Sequence, residues 1–200
     1  MPDILQRTAP AGATFPSTAT KSAALSAGWR DGLALVNLRV SADDAQVLAR
    51  VSAALGLELP TQACTSRADA VHRIVWAGPD DWFVIGPKDE AESIFGRLSA
   101  ALAGSHHAVT DVSSGYTVLS LAGASVREVL AQGCPLDLHP RAFGLGQSAG
   151  SHFFKASVWL WQSDEAPTFE LLVRRSFMGY VWLMLERCSA EGGVVTRRFV

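Results

Sequence analysis

Apolar residues recur along the chain with two different periods, and these periods predict strands alternating with helices. Residues 33–40 are apolar on one face and partly on the other, which predicts a strand. Beyond Ser41 the apolar spacing becomes three and four, which predicts an amphipathic helix that Ser41 caps and Gly56 closes. Residues 73–86 predict a hairpin with a Pro-Asp turn, and residues 89–103 predict a second helix.

The second half of the chain shows the same order of patterns. Its predicted elements are a strand at 116–121, a helix at 125–131, strands at 158–161 and 169–173, and a helix at 176–187. Gly133 is expected to end the short helix with a positive φ, and Pro135 prevents the helix from resuming. Corresponding Leu, Pro and Trp positions in the two halves are separated by a nearly constant offset, which indicates an internal duplication.

This repeated order predicts an α+β fold of two duplicated, split β-α-β-like subdomains packed into one compact unit. Residues 31–105 form the first repeat and residues 106–200 the second. Residues 1–30 contain three prolines and few large side chains, so they cannot form a core of their own. We interpret them as an N-terminal arm, either frayed or extended across another surface, with Phe15 and Trp29 as anchors.

Composition excludes several classes of protein. The 200 residues are 48% hydrophobic and 18% charged, which is ample for a core and argues against disorder. A formal net charge of −2 gives no attraction to nucleic acid or anionic lipid, and neither is expected as a partner. The chain has neither a secretory apolar segment near its start nor a membrane-length apolar run. Three widely spaced cysteines favour free thiols and a cytoplasmic location.

The sequence contains no complete catalytic or metal-binding motif. No Gly-x-Ser-x-Gly nucleophile turn is present, and Cys134 with His139 does not have the spacing of a zinc site. His139 is the most interesting imidazole, as a general base or as a side chain bonded to a local backbone carbonyl. We favour the local bond, because no acid or nucleophile is paired with His139 by spacing.

Asp111, Trp76 and Trp82 each allow two interpretations. Asp111 precedes a Ser-Ser-Gly turn, where it either stabilises the turn or contributes to a ligand pocket. The tryptophans of the predicted hairpin form either a stacking platform for a flat ligand or ordinary core, and core is the commoner use. Asp80 and Asp81 are expected to be turn residues.

Several segments together carry a resemblance to a known family. They are TDVS at 110–113, GCPLDLHPRAF at 133–143, GPDDWFVIG at 78–86 and FELLVRRSF at 169–177. In these segments the chain resembles the γ subunit family of heterotetrameric sarcosine oxidase, which is related to the folate-binding fold of the glycine-cleavage T-protein. The resemblance extends over roughly residues 32–188, and the segment at 133–143 is its most specific part.

The resemblance implies a non-catalytic subunit of an oxidoreductase complex. That complex demethylates sarcosine to glycine and passes the one-carbon unit to tetrahydrofolate, while FAD, FMN, NAD and zinc are carried by partner subunits. The large α subunit is the expected main partner, and no catalytic, cofactor or metal site is expected on this chain. The candidate interface residues are Phe15, Trp29, Asp111, Ser113, Asp137, His139, Arg141 and Arg174.

Two other functions remain open at this point. One is a stand-alone folate-binding one-carbon protein of T-protein descent, which requires a fixed acidic residue in a central cavity. The resemblance implies that a platform of Trp76 and Trp82 would stack on the pterin of the folate. The other is an interaction module that serves a related amine demethylase. The sequence does not distinguish sarcosine from a related methylamine, because the resemblance places the substrate site on another chain.

Overall fold

The computed structural model describes residues 25–30, 32–189 and 194–196, and these residues form two units. The first, which we call the five-stranded unit, comprises residues 32–113 and 146–150. The second, the six-stranded unit, comprises 114–145 and 151–189 together with 25–30 and 194–196. The structure is a mixed fold of helices and two mostly antiparallel sheets.

The described residues form eleven strands and four α-helices. The strands are β1 (Leu25–Arg30), β2 (Leu33–Val40), β3 (Ser66–Ala68), β4 (Arg73–Gly78), β5 (Asp81–Pro87), β6 (His107–Asp111), β7 (Tyr116–Ala122), β8 (Ser148–Phe153), β9 (Ala156–Asp164), β10 (Thr168–Arg174) and β11 (Val194–Thr196). The helices are α1 (Ala45–Leu55), α2 (Ala91–Ala101), α3 (Val126–Ala131) and α4 (Met178–Cys188). Within the described ranges, no helix is both long enough and apolar enough to cross a bilayer.

The five-stranded unit has the strand order β3-β4-β5-β2-β6. Its core forms where α1 and α2 cover the apolar face of the sheet. Alternate residues of β2 lie fully buried in the same cluster as Val47 and Val51 of α1 and Ile94 and Leu98 of α2. The strand predicted at 33–40 and the hairpin predicted at 73–86 are confirmed, since β2 pairs with β5 and β5 pairs with β4.

The N-cap of α1 corrects one prediction. Asp44, not Ser41, caps the helix, and its carboxylate accepts hydrogen bonds from the backbone N–H groups of Gln46 and Val47, each at 3.0 Å. The helix begins later than predicted because the Asp80 carboxylate binds the N–H of Ala42 at 2.8 Å. That bond holds the chain after β2 against the hairpin turn. Gly56 closes the helix with φ 72°, as predicted.

The six-stranded unit has the strand order β11-β1-β7-β10-β9-β8. Strand β1 pairs antiparallel with β7 and parallel with β11, so residues 25–30 are an inner strand of this sheet. Trp29 on β1 is 9% exposed, and its ring centre lies 6.4 Å from that of Trp182 on α4. Residues 1–24, and with them Phe15, lie outside the described residues.

The division of the chain differs from the predicted one in three places. Residues 25–30 belong to a sheet and not to an arm. Strand β6 was placed in the second repeat, but it pairs with β2 and so extends the five-stranded sheet. Residues 146–150 also belong to this unit, because Gly146 O accepts a hydrogen bond from Ser66 N at 2.8 Å and Ser148 N donates one to Cys64 O at 2.9 Å.

The predicted role of Gly133 as the end of α3 is wrong. The helix ends at Ala131 with Gln132 as its C-cap, and Gly133 does not have a positive φ, whereas Gly56 does. A Cβ atom at Gly133 would lie 2.5 Å from two ring carbons of Phe154. Gly133 O also accepts a hydrogen bond from Phe154 N at 2.7 Å. Glycine is therefore required here for close approach of the backbone to an aromatic ring.

Candidate functional site

Arg127 on α3 organises the segment at 133–143, which we call the recognition segment. Its Nη1 donates to the backbone carbonyl oxygens of Leu138 and Phe143, the second at 3.2 Å. Its Nη2 donates to Gln162 Oε1 on β9 at 2.7 Å. One guanidinium thus joins the two ends of a turn to the six-stranded sheet, using the fork geometry that distinguishes arginine from lysine.

Aromatic side chains complete this anchor. The guanidinium carbon of Arg127 lies 4.8 Å from the ring centre of Phe169. Phe143 stacks on Phe169 with ring centres 6.0 Å apart. Burial lowers the pKa of Arg127 from its ordinary value, because water is removed from the guanidinium. Leu138 and Phe143 are buried, so both ends of the turn at 138–143 are fixed by packing as well as by hydrogen bonds.

Three predicted interface residues form a hydrogen-bonded network in the exposed part of the recognition segment. Asp137 Oδ1 accepts a bond from His139 N at 2.9 Å. His139 Nδ1 accepts one from Arg141 N at 3.2 Å and lies 3.4 Å from Arg141 Nε. The predicted hydrogen bond from the imidazole of His139 to a backbone carbonyl is wrong. The ring instead accepts a hydrogen bond from a backbone N–H.

Asp111 and Ser113 form a second local network, in the five-stranded unit. Asp111 Oδ1 accepts from Ser113 N at 2.9 Å and from Ser113 Oγ at 2.5 Å. Ser113 Oγ in turn accepts from Leu35 N at 2.9 Å. This arrangement confirms that Asp111 stabilises the turn after β6.

The remaining predicted interface residues have different environments. Arg174 is exposed at the end of β10, with its guanidinium carbon 5.1 Å from the ring centre of Tyr116. Trp29 is buried against Trp182 and offers little area to a partner. The structure therefore joins Asp137, His139 and Arg141 in one network, while the role of all these residues in an interface stays a prediction.

Sequence reasoning missed a buried carboxylate at the centre of the six-stranded sheet. Glu170 is 6% exposed, and its carboxylate accepts hydrogen bonds from Arg30 Nη1 at 2.9 Å, Ser120 Oγ at 3.1 Å and Trp161 Nε1 at 2.8 Å. The register explains this cluster, because Glu170 lies opposite Ser120 on β7 and opposite Trp161 on β9.

The signal for this cluster was present in the sequence. Glu170 interrupts the apolar strand FELLV, and an acid inside such a strand must find donors or become neutral. What the sequence did not identify was the donors, since Arg30 is 140 residues away. With three donors from its own chain, the carboxylate retains little capacity for a further ligand.

Two other polar groups of the predicted hairpin are structural. Trp82 is fully buried, and its Nε1 donates to Pro60 O at 2.8 Å, so it is a core residue. Asp81 Oδ1 accepts from Asn37 Nδ2 at 2.6 Å and thereby ties the turn to β2. Both observations favour core and turn roles over a pterin platform.

Asp69, His72 and Glu90 form a further polar network, in the five-stranded unit. The backbone N–H of His72, and then that of Val71, donate to Asp69 at 2.6 and 2.7 Å and hold the pKa of its carboxyl below the ordinary value. His72 Nε2 lies 2.8 Å from Glu90 Oε2. Among the residues that the structure describes, no group of three or more His, Cys, Asp or Glu side chains is arranged to hold a metal ion, and all three cysteines are free.

Several known proteins that are similar to this chain share the same description. "Sarcosine oxidase subunit gamma" of Arthrobacter sp. is 37% identical over 124 residues, which is 62% of this chain and 60% of that protein. "Sarcosine oxidase subunit gamma" of Corynebacterium sp. (strain P-1) is 33% identical over 68% of this chain and 67% of that protein. The match thus spans about three fifths of the Arthrobacter protein's length.

Solved structures extend the similarity to the fold. A chain of the heterotetrameric sarcosine oxidase from Corynebacterium sp. U-96 superposes with a TM-score of 0.79 at 26% identity, covering 87% of this chain and 88% of that one. The glycine cleavage system aminomethyltransferase T from Bartonella henselae has a TM-score of 0.62 at 16% identity, covering 87% of this chain and 48% of that one, and so shares the fold. The family model for the sarcosine oxidase γ subunit matches residues 39–191. This chain therefore belongs to the sarcosine oxidase γ subunit family.

Proposed function

We propose that this chain is a non-catalytic γ subunit of a heterotetrameric sarcosine oxidase. In this role it supports the oxidative demethylation of sarcosine to glycine, with transfer of the one-carbon unit to tetrahydrofolate. The observation that carries the proposal, beside family membership, is the recognition segment. Arg127 fixes its backbone while Asp137, His139 and Arg141 remain exposed.

A fixed backbone with exposed polar side chains suits association with another protein. Association costs free energy for every loop or side chain that must be ordered, so a segment that is already ordered binds more tightly for the same contacts. Leu138 and Phe143 are anchored by burial and by Arg127, while Asp137 and the residues between Leu138 and Phe143 face solvent. In a stand-alone protein, the same anchoring would hold in place exposed side chains that have no partner to contact.

The proposed partner is the large α subunit of the oxidase. The proposed contact surface comprises residues 111–115, residues 133–143 and the N-terminal arm. FAD, FMN, NAD and zinc are assigned to the partner subunits, and the complex to the cytoplasm. We also propose that the two units of the chain arose by duplication of one α+β unit, as the repeated order of sequence patterns suggests.

One observation favours the alternative, a stand-alone folate-binding protein of T-protein descent. Glu170 is the kind of fixed, buried acid that this function requires. Its carboxylate, however, already accepts three hydrogen bonds from Arg30, Ser120 and Trp161. The subunit function is therefore the better supported of the two.

Purification of the tagged chain from its native cells tests the proposal. Flavin-bearing partners in about stoichiometric amount, visible in the absorption spectrum of the eluate, are the expected result. A colourless chain without partners, or turnover of a methylamine by the isolated chain, would contradict it. Titration of the isolated chain with tetrahydrofolate tests the alternative, which predicts saturable binding that Glu170→Gln weakens.

A further inference from the structure

The exposed network of Asp137, His139 and Arg141, which we call the tip, has more hydrogen-bond donors than acceptors. His139 Nδ1 accepts from the backbone N–H of Arg141, so a neutral ring carries its proton on Nε2. That Nε2–H has no partner among the described residues. Asp137 uses Oδ1 on the N–H of His139 and makes no ion pair with Arg141.

Arg141 adds a guanidinium fork to this surplus. Its Nε lies 3.4 Å from His139 Nδ1, and the described part of the chain places no acceptor on Nη1 or Nη2. A guanidinium with both terminal nitrogens free has the geometry for a bidentate bond to a carboxylate. The tip therefore presents an imidazole N–H and a guanidinium fork that require acceptors from outside the chain.

The backbone beneath the tip is held in a fixed geometry. The N–H groups of Ala142 and Phe143 both donate to His139 O, at 2.8 and 2.9 Å. Arg127 binds the carbonyl oxygens of Leu138 and Phe143 on either side. The donors of the tip are thus carried by a turn that is closed internally and anchored to the sheet.

We propose that the tip binds an Asp or Glu side chain of a partner subunit of the oxidase. The guanidinium of Arg141 donates two hydrogen bonds to this carboxylate, and Nε2–H of His139 donates a third. The inference rests on the proposed function, because it names the chemistry by which the γ subunit recognises its partner.

A protein carboxylate fits the tip better than a small free acid does. His139 and Arg141 are exposed, and an ion pair in open solvent contributes little because water and salt screen it. A partner surface that covers the tip removes this water and strengthens the pair. A free acid, by contrast, would remain solvated on an exposed turn.

Binding of full-length variants to the remaining subunits of the oxidase, purified together without this chain, tests the proposal. We expect Arg141→Met to weaken binding at least about tenfold and to reduce its dependence on salt, because a charge-assisted bond is lost. Arg141→Lys should recover part of the loss. His139→Asn keeps an acceptor for the N–H of Arg141 but removes the Nε2 donor, and should weaken binding a few-fold.

Arg67→Met is the matched control. The side chain of Arg67 is 55% exposed and lies on β3, outside the tip, so this variant should bind like the unmodified chain. Thermal midpoints of all variants should agree, since Arg67 and Arg141 are both exposed.

The outcomes distinguish this inference from the proposed function. If the unmodified chain and Arg141→Met bind the other subunits equally well, the inference about the tip is overturned and the proposed function is not. Failure of the unmodified chain to bind the other subunits would overturn both. Saturable binding of acetate or sarcosine to the isolated chain, lost in Arg141→Met, would assign the tip to a free acid and contradict docking. Self-association that depends on Arg141 would likewise assign it to a second copy.

Discussion

The substitution Glu170→Gln tests whether the buried carboxylate holds the six-stranded sheet together. The change preserves shape but removes the negative charge, and it replaces one acceptor oxygen with an amide group that donates. Three donors converge on the present side chain, from β1, β7 and β9. After the substitution, at least one of them faces a donor instead of an acceptor.

The expected cost follows from the geometry. Hydrogen bonds to a charged group contribute about 1 kcal/mol more than neutral ones, and leaving a buried donor unpaired costs about 1–3 kcal/mol. Arg30 has 30% of its side chain exposed and can recover some hydration, which reduces its share. We expect the free energy of unfolding to fall by about 2–3 kcal/mol. For a chain of 200 residues this lowers the thermal midpoint by about 5–10 °C.

Thermal and urea unfolding followed by circular dichroism measure this loss. Glu128→Gln on α3 is the matched control, because Glu128 is exposed and its substitution should leave the midpoint unchanged. Arg30→Met should cost less in the Glu170→Gln background than in the unmodified chain, since the two side chains are paired. An unchanged midpoint for Glu170→Gln would refute the view that this cluster stabilises the sheet.

Four further substitutions follow from the structure. Arg127→Met leaves two carbonyl oxygens and the amide oxygen of Gln162 without a donor. It should lower the free energy of unfolding in urea by about 3–5 kcal/mol and speed amide hydrogen exchange across 138–143. Unchanged protection of these amides would contradict the role of Arg127 as an anchor. Gly133→Ala places a methyl group 2.5 Å from the ring of Phe154 and should lower the free energy of unfolding by about 1–3 kcal/mol. Gly179→Ala on α4 is the matched control. Its added methyl group meets nothing within 4 Å, so it should raise the free energy of unfolding by up to about 1 kcal/mol. Asp69 has a lowered pKa, so its contribution to stability is present above the unfolded value near 3.8 and is lost as the pH falls through the folded value. Asp69→Asn should therefore be less stable than the unmodified chain at neutral pH, with the difference disappearing in acid; a constant difference would argue against the sign of this shift.

Local patterns predicted the elements whose stabilising contacts are local or form one continuous face. The hairpin at 73–86 and the helix before Gly56 were predicted because apolar period and turn chemistry agree there. Local pattern assigns the cap of that helix to Ser41, because the choice between Ser41 and Asp44 depends on Asp80, a residue of the turn between β4 and β5. Asp80 lies nearly forty positions after Ala42, outside the window of neighbouring residues from which a helix cap is predicted.

Long-range pairing explains what the sequence did not reveal. The segment 25–30 alternates apolar with polar or small residues, but only over six positions that include a glycine. Its strand pairs with β11 and with β7, whose residues lie up to 96 positions away. The donors around Glu170 come from three strands and were equally invisible. For the recognition segment, the exposed residues could be named in advance, but the anchor Arg127 could not, since its role depends on how α3 lies beside the turn.

Native mass spectrometry of the oxidase subunits, co-produced with and without this chain, tests the central claim most directly. The proposed function predicts that the flavin-bearing complex gains 21.3 kDa for each copy of the chain that it binds. It also predicts that the isolated chain does not oxidise sarcosine. A complex of unchanged mass, with the chain recovered alone, would contradict the assignment of this protein as a subunit of the oxidase.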